Sequence, residues 1–564
     1  MKKNYMKKFL RLLNNNMKQL FCITLLLISF NLTGQDYQAH QISGNTQLNY
    51  QTFQEDISIN AEYRKPYTSG YTNLIYNSTN LTVGTRIELY NNTIPGLTEY
   101  EGYGIAHKFI QYKWKNLDIT AGNFYDEFGK GLIFRTYYDP NVGVDNAMNG
   151  FRIKVNPHKG IYFTAIMGTQ RSYWEKRPFW NTKYGLIRAF NADISLNDII
   201  LKNWKSYINI GASFVTKKEE DQDPLYILPE NVGAFNGRLN ISKNNTSLHL
   251  DYAYKINDPS SDNNYIYKNG NALIITSNYS VKGFGVSLGA KRIENMGFRS
   301  ERNAILQDLN INFITPFTKQ QSYSLATIYP YSSQPNGEIG SQIDIYYTVP
   351  KKSKLGGKYG TNINFNFSNV FDIDRTILQD ANVINESGTV GYNSNYFKKG
   401  EKLFQELNLE ISKKINRKLK VIGSMIYLEN NDKIIKSQPL LNNQNHEYIY
   451  AKIAILEVLY KIKPKHSTRI ELQHLSTKQH YGNWMMGLIE YNLSPNLFWS
   501  IQDLYNYGHP DNPHYYSVST GYTQGANRLS ITYGKQRAGL FCVGGVCREV
   551  PASNGFSISL TSSF

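Results

Sequence analysis

The chain has 564 residues, of which 41% are apolar and 14% aromatic, and its formal charge is +17. This composition is too polar for a helical membrane protein of this size. Beyond the N-terminal region, no stretch offers the roughly 20 consecutive apolar residues that a spanning helix needs.

An export signal opens the chain. The basic stretch Lys2–Lys18 precedes the apolar run Leu20–Leu32, which Thr33 and Gly34 follow. A basic region, an apolar core and a small residue, in that order, are typical of a secretory signal peptide. We expect cleavage after Gly34, which makes residues 1–34 the signal peptide and 35–564 the mature chain. Met6 and Met17 are alternative starts.

Apolar and polar residues alternate through the mature chain. Ile87 and Leu89 alternate with Arg86 and Glu88, and the same pattern returns across Glu406–Ile411, where Glu406 and Glu410 share the polar face. A period of two places one chemistry on each face of a β-strand. Soluble sandwiches also alternate, so the decision between them and a membrane barrel depends on the connections.

Short and long connections alternate along the sequence. Short polar turns are predicted at Asn77–Asn80, Lys115–Asn116, Asn156–Gly160, Lys202–Asn203, Lys243–Asn245, Lys282–Gly283, Pro316–Lys319, Pro350–Lys354, Asn416–Lys418, Lys463–His466, Ser494–Asn496 and Gln524–Asn527. Longer irregular stretches between them include Phe124–Asn149, Lys217–Glu230, Asp372–Gly400, Asn430–Glu447 and Ala538–Asn554. Short periplasmic turns and long extracellular loops are typical of bacterial transmembrane barrels.

The turns also give a strand count. With a first strand near Ile42–Thr52 and a last one at Gly555–Phe564, they predict about 26 strands, within a range of roughly 22 to 26. The predicted fold is therefore all-β, a single large antiparallel transmembrane β-barrel over residues 35–564. The 44 tyrosines fit this prediction, because tyrosine concentrates at membrane interfaces, although tyrosine also favours strands in general.

One long loop carries most of the candidate pore residues. The stretch Phe124–Asn149 combines aromatics and glycines with the charged side chains Asp126, Glu127, Arg135, Asp139 and Asp145. Such a loop can fold inward and narrow a pore, or pack on the outer rim with its acidic groups in water. We expect the rim position.

Two cysteines close together predict a disulfide hairpin. In Cys542-Val543-Gly544-Gly545-Val546-Cys547, the Gly-Gly pair supplies the positive φ angles of a two-residue turn. Val543 and Val546 then form the hydrogen-bonded pair, and Cys542 lies opposite Cys547 at a Cα separation of about 4.5 Å, within disulfide range. A metal site would need more ligands than two cysteines with no nearby histidine.

The last strand carries an assembly signal. Phe556, Ile558, Leu560 and Phe564 form its apolar face, and serine and threonine fill the other. It resembles the C-terminal signal that the barrel-assembly machinery reads on outer-membrane proteins, although Ser562 stands where an aromatic residue is usual. We therefore expect location in the bacterial outer membrane.

Two segments resemble a known family. Tyr533–Gly539 with the cysteine hairpin and Val550–Ser553, and Gly122–Leu132 with Gly143–Asn146, are similar to an uncharacterised Bacteroidota family of outer-membrane β-barrels, domain of unknown function 6029. The resemblance implies an envelope location and a barrel. It implies no activity.

Two functions remain open at this stage. The barrel is a porin-like channel or transporter for polar solutes, or it is a structural or docking subunit of an envelope complex with the cysteine hairpin as its docking surface. We expect no enzymatic activity, no cofactor, no metal and no nucleic-acid partner. The expected partners are outer-membrane lipid, the barrel-assembly machinery during biogenesis and, for the second function, another envelope protein.

Overall fold

A computed structural model describes residues 40–95, 97–178, 180–304, 307–431, 448–543 and 546–564. The predicted signal peptide, residues 1–34, lies outside these ranges, as does most of the predicted loop Asn430–Glu447.

Almost all regular structure in these ranges is β-strand. The strands are β1 (His40–Phe53), β2 (Arg64–Ser78), β3 (Leu81–Asn91), β4 (Gly102–Trp114), β5 (Leu117–Phe124), β6 (Tyr138–Asp139), β7 (Val144–Asp145), β8 (Met148–His158), β9 (Ile161–Gln170), β10 (Leu186–Ser195), β11 (Tyr207–Lys218), β12 (Asn231–Lys243), β13 (Thr246–Lys255), β14 (Gly270–Val281), β15 (Phe284–Glu294), β16 (Gly337–Val349), β17 (Thr361–Thr376), β18 (Asn393–Lys414), β19 (Leu419–Asn431), β20 (Tyr448–Lys463), β21 (His466–Ser476), β22 (Trp484–Leu493), β23 (Leu497–Tyr505), β24 (His514–Gln524), β25 (Asn527–Gln536), β26 (Gly539–Val543), β27 (Val546–Val550) and β28 (Ser553–Ser563).

Helix is confined, within the described ranges, to short pieces. They are α1 (Leu196–Ile199) and the 3₁₀ turns Ile57–Ile59, Thr98–Tyr100, Thr182–Tyr184 and Ser261–Asn263. No helix among the described residues is both long and apolar enough to cross a membrane.

The main sheet has 24 strands and closes on itself. Each of its strands pairs antiparallel with the next, and β28 pairs back with β1, where Leu560 lies opposite Leu48. The hairpins β6–β7 and β26–β27 lie outside this sheet. Closure satisfies the backbone hydrogen bonds of every strand, as a membrane requires. The predicted antiparallel barrel is confirmed, with 24 strands in place of about 26 and within the expected range.

Alternation along the strands separates the two faces of the barrel. On β3, Ile87 is 47% exposed, whereas Arg86 and Glu88 are 4% and 1% exposed. On β28, Phe556 is exposed on the outside, and the Ser559 hydroxyl donates to Asn49 Oδ1 at 2.9 Å. An apolar exterior suits lipid and a polar interior suits a luminal face.

The connections differ between the two ends of the barrel. At the turn end most strands are joined by two to four residues, as at 79–80, 115–116 and 415–418, with longer links at 196–206 and 350–360. At the loop end the connections are generally longer and include 125–147, 171–185, 256–269 and 295–336. This asymmetry is the one that the sequence predicts.

Two of the long loops fold into the lumen. We call residues 125–147 the first plug loop, residues 295–336 the second plug loop, and the two together the plug. Ile133 of the first loop and Ile311 of the second are completely buried in one cluster with wall residues that include Ile187 and Val215. The largest apolar core therefore lies inside the barrel, between the plug and strands β8–β15.

The second plug loop crosses to the opposite wall. Leu325 and Tyr331 pack there with Phe404, Ile453 and Trp484, which project inward from β18, β20 and β22. Burying one such side chain contributes about 1.5–3 kcal/mol. The plug thus binds both sides of the lumen and closes its loop end.

One predicted turn is wrong. Pro316–Lys319 was expected to join two strands, but the described residues between Glu294 and Gly337 contain none. Their apolar side chains, such as Ile314 and Phe317, are buried against the lumen wall instead of facing lipid. An apolar pattern looks the same in sequence in both cases, which is why the strand count came out two too high.

Candidate functional site

The centre of the candidate site is a charged cluster around Asp145 of the first plug loop. Both Arg86 on β3 and Arg171 just after β9 form salt bridges with Asp145 Oδ2. Glu88 completes the cluster, with Oε1 at 2.6 Å from Arg86 Nε and Oε2 at 2.8 Å from Arg171 Nη2. The Tyr125 hydroxyl donates to Asp145 Oδ1 at 2.8 Å. We call these five residues the Asp145 cluster.

Charge balance explains why the Asp145 cluster can be buried. Arg86 and Arg171 match Glu88 and Asp145, and the four side chains are at most 5% exposed. Removing one partner from a buried pair leaves an uncompensated charge, which costs about 3–5 kcal/mol. Asp145 belongs to the first plug loop, whereas Arg86 and Glu88 lie on β3 of the wall and Arg171 directly follows β9. The cluster therefore holds the loop inside the barrel.

The other charged residues of the first plug loop are distributed differently. Asp126 pairs with the wall, at 2.8 Å from Lys154 Nζ and 3.3 Å from Arg152 Nη1 on β8. Glu127 and Arg135 lie 3.7 Å apart within the loop, and burial raises the pKa of the Glu127 carboxyl. Residue Asp139 accepts a hydrogen bond from the backbone of Asn141 in a local turn.

The structure therefore corrects the expected position of this loop. It lies in the lumen and not on the outer rim, because its apolar residues Leu132, Ile133 and Phe134 are buried against the wall. Asp126 and Asp145 are brought to the wall, whereas Glu127, Arg135 and Asp139 are not.

The two plug loops are joined by backbone and aromatic contacts. The backbone N–H of Arg135 donates to Ile311 O at 2.8 Å, and that of Phe313 donates to Gly131 O at 2.9 Å. The guanidinium of Arg135 stacks over the Phe313 ring at 4.0 Å. The loops thus form one body, so displacement of one disturbs the other.

Three buried lysines of the wall bind the backbone of the second plug loop. They project inward from β11, β13 and β15, near the loop end of each strand. The contacts are Lys217 Nζ to Arg299 O (2.9 Å), Lys255 Nζ to Gly297 O (2.6 Å) and Lys291 Nζ to Thr315 O (2.7 Å). A carbonyl at each position lets a charged group be buried with a hydrogen-bond partner.

Two of these lysines also carry ion pairs. Lys217 Nζ lies 2.9 Å from Asp258 Oδ2, and Lys291 Nζ lies 2.5 Å from Glu338 Oε1. Sequence reasoning missed all three lysines. The available signal was a lysine on the inward-facing side of a strand near its loop end, but its partners lie far away in the chain.

Polar contacts fix the second plug loop to the opposite wall as well. The Gln321 amide donates to Glu406 at 2.6 Å, and the Tyr323 hydroxyl donates to Glu457 at 3.0 Å. The sequence places Glu406 on the polar face of its strand, and its contact with Gln321 of the plug shows that this face points into the lumen.

The cysteine hairpin forms as predicted. Cys542 lies opposite Cys547 and Val543 opposite Val546, with the disulfide formed at a Cα separation of 4.1 Å. Val546 is buried in a cluster with Val142 and Val144 of the first plug loop. The hairpin therefore packs on the plug with one face, and it is part of the closure at the loop end.

Below the plug, the lumen wall stays polar and partly exposed. Asn364 donates to Glu410 at 3.0 Å, and Ser519 and Thr532 share a hydrogen bond at 2.8 Å, all on inward faces of the turn-end half. These side chains are only partly buried. The arrangement is a polar lumen that is closed at one end by the chain's own loops.

A family model matches residues 17–564; its description is a family of unknown function, DUF6029. The chain belongs to this family. The resemblance found in the sequence is confirmed for the family, and the Bacteroidota origin stays a prediction. No curated protein matches the DUF6029 chain significantly.

Solved structures of outer-membrane barrels align with most of this DUF6029 protein at low similarity. The P pilus usher (PapC) translocation pore is 8% identical, with 93% of this chain and 98% of that chain covered and a TM-score of 0.43. The siderophore receptor PirA from Pseudomonas aeruginosa is 11% identical, with 94% and 82% covered and a TM-score of 0.40. OccD3 (OpdP) from Pseudomonas aeruginosa is 14% identical, with 70% and 87% covered and a TM-score of 0.35. At these scores, the similarities carry no information on what this barrel binds.

Proposed function

We propose that this DUF6029 protein is a gated channel or transporter for polar solutes in the bacterial outer membrane, closed at rest by its own plug. One observation carries the proposal: the polar lumen wall continues beneath a plug that non-covalent contacts hold in place. A passage for polar solutes needs such a wall, and a plug held by salt bridges and carbonyl contacts can move without breaking a covalent bond.

The outer-membrane location in this proposal rests on physical arguments. The closed 24-strand barrel has an apolar exterior, and its last strand carries Phe556, Ile558, Leu560 and Phe564, the residues of the predicted assembly signal. Outer-membrane lipid and the barrel-assembly machinery are therefore the proposed partners. Solute passage requires no covalent chemistry, so no catalytic residue or cofactor is part of the proposal.

Planar-bilayer conductance tests the channel. We expect wild type to be almost silent, and Asp145→Asn/Arg171→Gln to show frequent openings. This double variant removes one charge of each sign and leaves Arg86 paired with Glu88. The matched control is Lys159→Ala/Asp198→Ala, which removes an exposed ion pair of 2.8 Å at the turn end. A second variant replaces residues 126–144 with a short glycine-serine linker.

The proposal fails if neither the double variant nor the deletion conducts while both remain folded. Folding is checked independently by circular dichroism and by the migration of unboiled samples on gels. A control that opens as often as the double variant would also contradict it, because the current would then not arise from release of the plug.

A docking subunit is the second candidate, and two exposed apolar side chains favour it. Leu225 and Ile227, in the loop-end connection between β11 and β12, are 82% and 90% exposed. Such residues on a loop tip fit contact with another envelope protein. Purification from native membranes in mild detergent, with wild type and Leu225→Ser/Ile227→Ser, tests this function. A monomer without a stoichiometric companion in wild type would contradict it.

A further inference from the structure

The strongest unassigned feature is a cavity of about 580 Å³ within the loops that close the barrel. Its walls come from both plug loops, from the loop 256–269, from the loop 377–392 and from Val546 of the cysteine hairpin. This volume lies in the range of small-molecule sites in proteins. The cavity is separate from the Asp145 cluster, which holds the first plug loop against β3.

The charged groups of the cavity wall are matched in pairs. Among the described lining residues they are Asp262 with Arg299, at 3.2 Å, and Asp372 with Arg375, at 2.5 Å. A charged ligand would leave an unmatched charge in this partly enclosed space, which is unfavourable. The wall therefore favours a neutral ligand.

Two buried polar atoms of the wall, Ser333 Oγ and Asn385 Oδ1, lack a hydrogen-bond partner among the described residues. The Tyr392 hydroxyl, which also lines the cavity, accepts a hydrogen bond from the Arg375 side chain and still has its own hydrogen to donate. Buried polar groups in native proteins are nearly always hydrogen-bonded, so these three groups need partners that the described residues do not supply. Their position around one cavity indicates a ligand or the water that it displaces.

The kinds of atoms define the ligand further. The Ser333 hydroxyl donates and accepts, the Tyr392 hydroxyl has a hydrogen to donate, and the amide oxygen of Asn385 only accepts. Burial raises the pKa of Tyr392 to about 12, so its hydroxyl, in a side chain that is 1% exposed, keeps its proton at physiological pH. A ligand group that both donates and accepts can pair with any of the three, and a hydroxyl is such a group.

Aromatic rings complete the wall. Tyr137, Phe313 and Tyr392 line the cavity together with several asparagine and glutamine side chains. Aromatic faces pack against carbon-bound hydrogens, while amides hydrogen-bond hydroxyls. This combination suits a molecule with an apolar face and a rim of hydroxyls.

We propose that this cavity binds a free neutral saccharide of one or two rings. The saccharide would be the solute of the proposed channel, and this part of the proposal rests on the proposed function. Since the walls include both plug loops, the saccharide touches the elements whose displacement opens the lumen.

Equilibrium binding to the purified full-length protein tests the cavity. The probes are lactose, maltose and trehalose, with lactobionate as the anionic counterpart of lactose, in an amine-oxide detergent that contains no sugar. Saturation-transfer NMR detects binding, and titration calorimetry measures affinity. We expect at least one neutral disaccharide to bind, and Tyr392→Phe and Asn385→Ala each to weaken it roughly five- to tenfold, as the loss of one buried hydrogen bond predicts.

The matched control is Tyr267→Phe. It removes a hydroxyl that donates to Ile227 O at 2.9 Å outside the cavity, and we expect it to leave the affinity unchanged. The proposal is overturned if none of the three disaccharides binds, if lactobionate binds as tightly as lactose, or if Tyr392→Phe and Asn385→Ala both bind like wild type. If the protein binds a disaccharide but no variant conducts, the channel proposal fails and the saccharide site is supported. If a variant conducts but no disaccharide binds, the saccharide site fails and the channel proposal is supported.

Discussion

At the residue scale, Asp145 is where the first plug loop meets the charged wall. Its carboxylate faces two arginines that no other residue of the loop contacts through a salt bridge among the described contacts. The carboxylate of Asp139, six residues earlier in the same loop, accepts a hydrogen bond from a local backbone N–H and forms no salt bridge among the described contacts. The same residue type thus has a long-range role at one position and a local role at the other.

This contrast gives a prediction for Asp145→Asn. We expect the variant to lose about 3–5 kcal/mol of local stability, because Arg86 and Arg171 then share a single carboxylate partner in Glu88. Hydrogen exchange measured by mass spectrometry should show faster exchange across residues 125–147. Asp139→Asn is the control and should exchange as wild type does. Equal protection of the loop in the two variants would contradict the role assigned to Asp145.

The buried lysines lead to a second residue-scale prediction. Lys291→Met should destabilise the protein by about 3–5 kcal/mol, because it leaves the Glu338 carboxylate buried without its ion-pair partner. Lys255→Met should cost roughly 1 kcal/mol, since Lys255 contributes a hydrogen bond to the Gly297 carbonyl and no salt bridge within the described contacts. Denaturant unfolding of the two variants in the same detergent measures which of them loses more free energy of unfolding. A reversed order would contradict this account.

At the element scale, the cysteine hairpin illustrates what local rules can predict. The Gly-Gly centre and the cysteine spacing gave the correct register, with Cys542 opposite Cys547. They gave no sign that Val546 packs on Val142 and Val144, because that contact joins distant parts of the chain. Local structure was predictable here, and the surface that the hairpin covers was not.

The disulfide itself should act locally. Cys542→Ser/Cys547→Ser should lower the stability of the hairpin by about 2 kcal/mol. The effect is small because a disulfide that closes so short a loop removes little conformational entropy from the unfolded chain. Hydrogen exchange should increase within β26 and β27 and stay unchanged in the barrel strands. Non-reducing mass spectrometry of wild type checks the premise, and free thiols at both cysteines would contradict it.

The same distinction explains the rest of the element predictions. Alternation in β3 and β28 predicted the two faces correctly, because one side of those strands is the apolar exterior of the barrel and the other faces its polar lumen. It failed across residues 311–325, where the apolar side chains pack against the lumen wall. Periodicity indicates that a side chain meets an apolar environment. It does not indicate whether that environment lies outside the barrel or is the lumen wall. Asp145 was a candidate because it lies in a conspicuous charged loop. Its partner Arg171 was not a candidate, because the sequence does not show that the two residues meet in the fold.

At the scale of the whole molecule, closure depends on the contact between the first and last strands. The backbone of Phe564 exchanges hydrogen bonds with Gly44, at 2.9 and 3.0 Å. The Phe564 ring lies over Gly44, so a Cβ at that position would come within 2.5 Å of Phe564 Cζ and 2.6 Å of Asn73 O. Gly44 therefore makes room for the terminal aromatic residue at the closing seam.

Gly44→Val should consequently weaken the closed barrel. We expect overpacking to cost at least about 1–3 kcal/mol, and to lower the temperature at which the folded form converts to the slower unfolded form on gels. Gly237→Val is the control, since a Cβ at Gly237 meets no atom within 4 Å. If both variants convert at the wild-type temperature, the seam does not depend on this contact.

The second plug loop begins at β15 and ends at β16, so it is tethered to adjacent strands at both ends. In the proposed channel, an opening motion is therefore a hinged swing of a loop that stays attached to the barrel at both ends. Reclosure is intramolecular, because both ends of the loop stay attached to the barrel wall. Its rate should not depend on how much protein the membrane contains, and each barrel should open and shut as an independent unit.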